Sequence, residues 1–296
     1  MSLTRRSVLK RILAGGAAAV ASKALPASAT REPKKVPPDA VGMLYDATLC
    51  VGCRACEVKC REVNHLPGHV QQIGGGVYNM SVGLTDANVT VIKRFEENGQ
   101  TGFLKRQCMH CVDPSCVSAC MLGALAKGKG GVVGYDKDLC LGCRYCQIAC
   151  PFNVPRFEWN VAVPKIVKCD MCRTRPQGPG CAEVCPRGAV LYGNFDALKA
   201  EARARLAKSP GRYVNKVYGE VDGGGTQVMY LSAVPFEKLG LPVLSDTAGA
   251  QSSEAVQHTL YQNFATPVVL YGALAFVVLR NRKAEAKTEA HKEGNP

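Results

Sequence analysis

Residues 140–151 read CLGCRYCQIACP, a CxxCxxCxxxC run followed by proline. Residues 50–60 repeat the spacing as CVGCRACEVKC. In such a run the first three thiolates come from one tight loop, and each can bind a different iron of one [4Fe-4S] cluster. The fourth thiolate is displaced along the following helix and points toward a neighbouring cluster. The two runs therefore predict paired iron-sulfur clusters that exchange ligands.

Two further cysteine groups keep the CxxxC ending but widen the middle gap, to four residues in 108–120 and to eight in 169–185. All sixteen cysteines of the chain belong to these four groups, which predicts four [4Fe-4S] clusters. Disulfides and tetrahedral zinc remain alternatives, but neither explains four near-copies of one spacing. Haem c is excluded because no CxxC pair is followed by histidine.

The residues that flank the groups alternate between two types. Tyr-Asp precedes groups one and three, at 45–46 and 135–136, whereas Gly-Ala follows groups two and four, at 123–124 and 188–189. A two-cluster ferredoxin needs one group of each type, joined by a hairpin, and groups two and three fit with a return strand at 132–135. Groups one and four must then complete the other module. The predicted fold class is α+β, with two nested ferredoxin-like 2[4Fe-4S] modules, insertions and a C-terminal single transmembrane helix.

Ligand exchange within each module assigns the cysteines to four sites, which we number 1 to 4. The predicted sets are Cys50, Cys53, Cys56 and Cys185 for site 1; Cys169, Cys172, Cys181 and Cys60 for site 2; Cys108, Cys111, Cys116 and Cys150 for site 3; and Cys140, Cys143, Cys146 and Cys120 for site 4.

The predicted organisation follows from these sets. Residues 41–60 plus 161–195 form the outer module, 61–106 an insertion, 107–160 the inner module, and 196–259 a helix with a partner-binding extension. Within the insertion, Asn98-Gly99 signals a hairpin turn. Asp196 is predicted to cap an Ala-rich helix that ends near Lys208.

Both ends of the chain carry targeting signals. Residues 1–29 combine Arg5-Arg6, an Ala/Gly-rich stretch and a small-residue cleavage site, which predicts a twin-arginine signal peptide. Residues 260–279 lack charged side chains and are long enough for a transmembrane helix, although a buried or interfacial helix is the alternative. The basic residues just after it make 280–296 a cytoplasmic tail. The body is therefore expected at the periplasmic face of the inner membrane.

The net charge of +13 would ordinarily favour nucleic acid or an anionic membrane as the partner. The predicted signal holds five basic and no acidic residues, so its removal leaves +8. Four clusters, each about −2 with its thiolates, would cancel the remainder. Because no basic stripe is interleaved with aromatic residues, no nucleic-acid partner is expected.

The four groups, in this order and with these gaps, resemble the 16-cysteine iron-sulfur subunits of membrane oxidoreductases over about residues 41–195. Within that family the chain is most similar to HybA-type subunits of hydrogenase-2 class nickel-iron hydrogenases. The similarity rests on GMLYD at 42–46, CMHCVDP at 108–114, GGGTQV at 223–228 and QHTLY at 257–261. The resemblance implies hydrogenase small and large subunits and an integral membrane quinone-reactive subunit as partners, and pairing of group one with group four.

No nucleophile elbow, Walker loop or dinucleotide fingerprint occurs in the sequence. We therefore expect the chain to transfer electrons and to have no catalytic site of its own. The alternative is the same role in a molybdopterin oxidoreductase of the formate dehydrogenase or polysulfide/dimethyl sulfoxide reductase type. His110 is expected either beside a cluster or at the surface, without binding iron, because its group already supplies four thiols. Five basic residues beside the cysteines are candidates to tune cluster potentials, namely Arg54, Lys59, Arg144, Lys168 and Arg173.

Overall fold

The computed structural model describes residues 32–66, 83–97, 99–159, 161, 164–251, 254, 271–274 and 276–277. Every element named below lies in the compact unit Pro33–Pro296. The predicted signal peptide, the cytoplasmic tail and most of the predicted span 260–279 lie outside the described residues. Within the described ranges, no helix has the length and apolar character needed to cross a membrane.

Short strands and helices alternate along the described chain. The strands are β1 (Val41–Asp46), β2 (Val91–Glu97), β3 (Gln100–Arg106), β4 (Leu125–Lys127), β5 (Val133–Tyr135), β6 (Arg156–Phe157), β7 (Ile166–Val167), β8 (Val190–Asn194) and β9 (Val228–Leu231). The helices are α1 (Ala55–Val63), α2 (Ser115–Ser118), α3 (Tyr145–Ala149), α4 (Gly180–Glu183) and α5 (Phe195–Lys208). This mixture agrees with the predicted α+β class.

Two antiparallel strand pairs repeat the same relation to the cysteine groups. β4 leaves group two and pairs with β5, which leads into group three, with Leu125 opposite Tyr135. β8 leaves group four and pairs with β1, which leads into group one, with Val190 opposite Tyr45. The helices pair in the same pattern: α2 packs against α3, and α1 packs against α4. Group one thus meets group four across the chain, while groups two and three meet locally.

A third strand, β9, joins the sheet of β1 and β8 from the region predicted as a partner-binding extension. It runs parallel to β1, with Tyr230 opposite Tyr45, and all four of its residues are buried. The N–H of Val228 donates to the carbonyl of Met109 at 3.2 Å, so the same segment also binds the loop of group two. This part of 196–259 is therefore core of its own chain, which corrects its description as an extension; its contacts with a partner stay a prediction.

The predicted hairpin in the insertion is present. β2 and β3 pair as far as Glu97 opposite Gln100, and Gly99 in the turn has a φ of 74°. The hairpin packs on the outer module: the Tyr45 hydroxyl donates to the carbonyl of Phe103 at 2.8 Å. Glu57 accepts the N–H of Ile92 at 2.5 Å, which links α1 to β2.

Helix α5 begins two residues earlier than predicted. Asn194 is the N-cap, because its side-chain oxygen accepts the N–H of Ala197 at 3.1 Å, and Asp196 lies in the first turn. A side-chain amide oxygen satisfies a free helix N–H as well as a carboxylate does, so both residue types suit the position. The predicted end at Lys208 is confirmed.

Candidate iron-sulfur sites

The loops of groups one and three have the same backbone conformation, as their shared Gly-Cys-Arg sequence predicts. Gly52 and Gly142 have φ values of 71° and 73°, and Arg54 and Arg144 have 61° and 64°. All four lie in the left-handed region, which glycine adopts without steric cost. The arginine directly precedes α1 or α3 in each case. The left-handed residues on both sides of the second cysteine fold each loop tightly.

Site 1 is a hollow between the first and fourth groups. Its volume, including its open mouth, is about 350 Å³, and its walls include Tyr45, Val51 and Ile92. The cysteines that line it are Cys50, Cys53, Cys56 and Cys185. Cys50 and Cys53 come from the loop before α1, Cys56 lies in the first turn of α1, and Cys185 lies on the loop that leads into β8. The β1–β8 pairing brings these segments together.

Site 2 lies about one turn further along α1, at Cys60. The hollow has a volume of about 310 Å³, again with its mouth, and is lined by Cys60, Cys169, Cys172 and Cys181. The side-chain amide of Asn64 donates to the sulfur of Cys60 at 3.6 Å and to that of Cys172 at 3.8 Å. Cys60, at the end of group one, therefore lies with the cysteines of group four.

The inner module brings its cysteines together in the same crosswise manner. Burial raises the pKa of Cys111, and the neighbouring thiolates of Cys108, Cys150 and Cys116 raise it further. Burial also raises the pKa of Cys146 to about 12, and the neighbouring thiolates of Cys120, Cys143 and Cys140 contribute to the rise. These two sets are the predicted sites 3 and 4.

Some thiolates shift the pKa of a cysteine in a different site, and these pairs show which sites are neighbours. The thiolate of Cys181 raises the pKa of Cys56, which connects sites 1 and 2. The thiolate of Cys108 raises the pKa of Cys169, which connects site 2 with site 3. The thiolate of Cys146 raises the pKa of Cys116, which connects site 3 with site 4. The sets thus form a row. Its two ends hold the exposed cysteines, Cys53 and Cys143.

The donor set fits an iron-sulfur cluster. All sixteen cysteines are described and all are free thiols. Burial raises the pKa of most of those that shift, so their sulfurs would be neutral in the absence of metal. Bound iron supplies the positive charge that keeps buried sulfurs ionised. In the described chain no three Cys, His, Asp or Glu side chains converge closely enough to hold a single metal ion.

Most of the cations predicted beside the clusters are engaged by other side chains. The contacts are Arg54 with Glu57 at 2.7 Å, Lys59 with Glu62 at 3.0 Å, Arg173 with Asp170 at 3.8 Å, and Arg144 over the Trp159 ring at 4.0 Å. Lys168 differs, because its ammonium is buried and donates to the carbonyls of Val133 and Cys169 at 2.5 and 3.0 Å. Burial raises the pKa of Cys116 at site 3, and the charge of Lys168 opposes this rise.

His110 is fully buried, beside group two as predicted. Its Nδ1 accepts the N–H of Val133 at 3.1 Å, so it connects the cysteine loop to β5. Burial lowers its pKa, and the charges of Lys168 and Lys127 lower it further. The imidazole is therefore neutral and acts as a hydrogen-bond acceptor.

Two groups near the sulfurs were not singled out from the sequence. The Tyr135 hydroxyl opposes the effect of burial on Cys140 and lowers the pKa of that thiol. Tyr45 occupies the same position beside Cys50, and the repeated Tyr-Asp flank was the signal that could have identified both. Lys105 on β3 is fully buried and lies near cysteines of sites 1 and 2. The residues next to Lys105 in the sequence form no motif comparable to the Tyr-Asp flank.

Comparison with known proteins agrees with this geometry. Residues 100–195 match the 4Fe-4S dicluster domain family. The chain is 38% identical over 202 residues to a formate dehydrogenase iron-sulfur subunit of Haemophilus influenzae, a match that covers 64% of each protein. It is 40% identical over 320 residues to the hydrogenase-2 operon protein HybA of Escherichia coli O157:H7, which covers 95% of this chain and 96% of that protein. The predicted resemblance to HybA-type subunits is confirmed, and the chain belongs to the family of the hydrogenase-2 operon protein HybA.

Proposed function

We propose that this protein is the electron-transfer iron-sulfur subunit that relays electrons between a periplasmic nickel-iron hydrogenase and an integral membrane quinone-reactive subunit. Its similarity to HybA over nearly the whole of both chains supports the choice of partner. The observation that carries the relay is the row of four cysteine sets with an exposed cysteine at each end. Electrons could enter such a row at one exposed end and leave it at the other.

Each of the four predicted sites would bind one [4Fe-4S] cluster, which accepts and releases one electron at a time. The chain's own residues hold the row in place. Cys60 lines site 2 although the rest of its group lines site 1, and Cys185 lines site 1 although the rest of its group lines site 2. The β1–β8 pairing holds the two groups together. Buried apolar side chains such as Met43, Ile92 and Met171 keep water from the interior sulfurs.

The same relay in a molybdopterin oxidoreductase is the second candidate. The similarity to formate dehydrogenase iron-sulfur subunits supports it, but that match covers 64% of the chain. In both candidates the substrate chemistry belongs to another subunit and this chain has no catalytic site of its own. The regions outside the shared match are those that favour the hydrogenase.

Anaerobic purification of the tagged full-length protein from its own membranes tests both the cofactor and the partner. We expect about 16 iron and 16 sulfide per chain, four of each for every cluster, and co-purifying hydrogenase subunits with hydrogen-dependent reduction of a quinone. A molybdenum-containing partner would establish the second candidate. Colourless protein with zinc in place of iron would contradict both.

The location is proposed at the periplasmic face of the inner membrane, after twin-arginine export and with 260–279 as the anchor. Arg5 and Arg6 carry the export prediction. Replacing both by Lys is expected to leave the protein in the cytoplasm with its clusters assembled, because folding precedes this type of export. Cell fractionation against the wild-type chain measures the effect, and unchanged periplasmic exposure would contradict the prediction.

A further inference from the structure

Lys105 is a buried cation whose hydrogen-bond partners are neutral. It lies on β3, and its side chain is fully buried. Its ammonium donates to the hydroxyl of Thr90 at 2.5 Å and to the side-chain oxygen of Gln107. Among the salt bridges of the described residues, none involves Lys105. An ion removed from water without a charged partner is strongly disfavoured, so some other negative charge must compensate it.

The compensating charges belong to two neighbouring sites. Burial by itself lowers the pKa of Lys105, but the thiolates around it outweigh this effect and raise it. Three of these thiolates belong to site 2, namely Cys181, Cys169 and Cys60, and one, Cys56, belongs to site 1. The relation is reciprocal, because the charge of Lys105 lowers the pKa of Cys56, Cys60 and Cys169. Thr90 and Gln107, which accept from the ammonium, both line the hollow of site 2. The ammonium therefore lies beside site 2, and its interaction with Cys56 extends to site 1.

We propose that Lys105 is a shared positive charge that raises the reduction potentials of the clusters at sites 1 and 2 together, an inference that rests on the proposed function. Adding one electron makes a cluster more negative, so a nearby cation stabilises the reduced form more than the oxidised form. In the buried interior this interaction is weakly screened, which makes it larger than that of a surface lysine. Lys105 is a positioning charge that does not bind iron.

Sites 3 and 4 experience other charges. The main charges that act on Cys116 are those of Cys108, Cys150 and Lys168, and the main ones on Cys146 are other thiolates of site 4. Lys105 therefore distinguishes the outer module from the inner one. Its effect should be confined to two of the four clusters.

The test is Lys105→Met in the full-length holoprotein, with the four midpoint potentials measured by a redox titration followed by electron paramagnetic resonance. We expect two of the four potentials to shift downward and the other two to stay close to the wild-type values. Lys105→Arg keeps the charge and should restore the two potentials. Lys93→Met, a half-buried lysine on the neighbouring strand, is the matched control and should shift none of them.

A second variant covers the case in which Lys105→Met does not assemble its clusters. Thr90→Asp places a carboxylate against the ammonium and keeps the lysine, so the same two potentials should fall. Four cluster signals with unchanged potentials, or one uniform shift of all four, would overturn the role of Lys105. Wild-type protein without cluster signals would instead overturn the proposed function, so the two failures are distinguishable.

Discussion

Replacing Cys60 by Ser is expected to remove the cluster held mainly by group four and to leave the one held mainly by group one. Cys60 lines the hollow of site 2 with three cysteines that lie more than a hundred residues further along the chain. The cysteines nearest to it in sequence line site 1 instead, together with Cys185. Iron should therefore fall from about 16 to about 12 per chain, because one four-iron cluster is lost.

Double variants identify which cluster is lost. Adding Cys172→Ser to Cys60→Ser removes a second ligand of the same site, so the iron content should stay at about 12. Adding Cys53→Ser removes a ligand of the other site, so it should fall to about 8. Iron analysis of the anaerobically purified proteins is the measurement. The reverse order of the two values would show that each group binds its cluster alone.

Replacing Asp46 by Ala is expected to lower the free energy of unfolding by about 3 kcal/mol, because a buried ion pair loses one partner. Only 1% of the Asp46 side chain is exposed. One carboxylate oxygen accepts from Arg205 at 3.0 Å and from the Tyr213 hydroxyl at 2.9 Å, and the other from the Thr48 hydroxyl at 2.6 Å. These contacts anchor α5 and the segment after it to β1.

The internal repeat supplies the control for this prediction. Asp136 follows Tyr135 as Asp46 follows Tyr45, but Asp136 is exposed. Its carboxylate accepts the N–H of Asp138 at 2.9 Å. Asp136→Ala should therefore change the free energy of unfolding by no more than about 0.5 kcal/mol. Denaturant unfolding under anaerobic conditions, followed by circular dichroism, compares the two. Equal losses would show that the contacts of Asp46 do not contribute.

Local features of the chain could be predicted because a few residues determine them. The Gly-Cys-Arg loops need residues that tolerate positive φ, and Gly52 and Gly142 supply them. The hairpin turn at Gly99 and the return strand at Val133–Tyr135 have similarly short-range signals. The position of the helix cap was missed by two residues, because Asn194 and Asp196 are both suitable capping residues.

The cysteine spacing by itself indicated the chemistry: sixteen thiols in four groups whose spacing suits [4Fe-4S] clusters, with a predicted exchange of ligands between groups. Only the tertiary structure showed that the segment around Tyr230 completes the sheet of the outer module and that Lys105 lies beside the cysteines of the outer sites. A spacing signal is local because one loop presents several ligands. The strand β9 and the charge of Lys105 depend on contacts between residues far apart in the chain, and no short sequence pattern encodes such contacts.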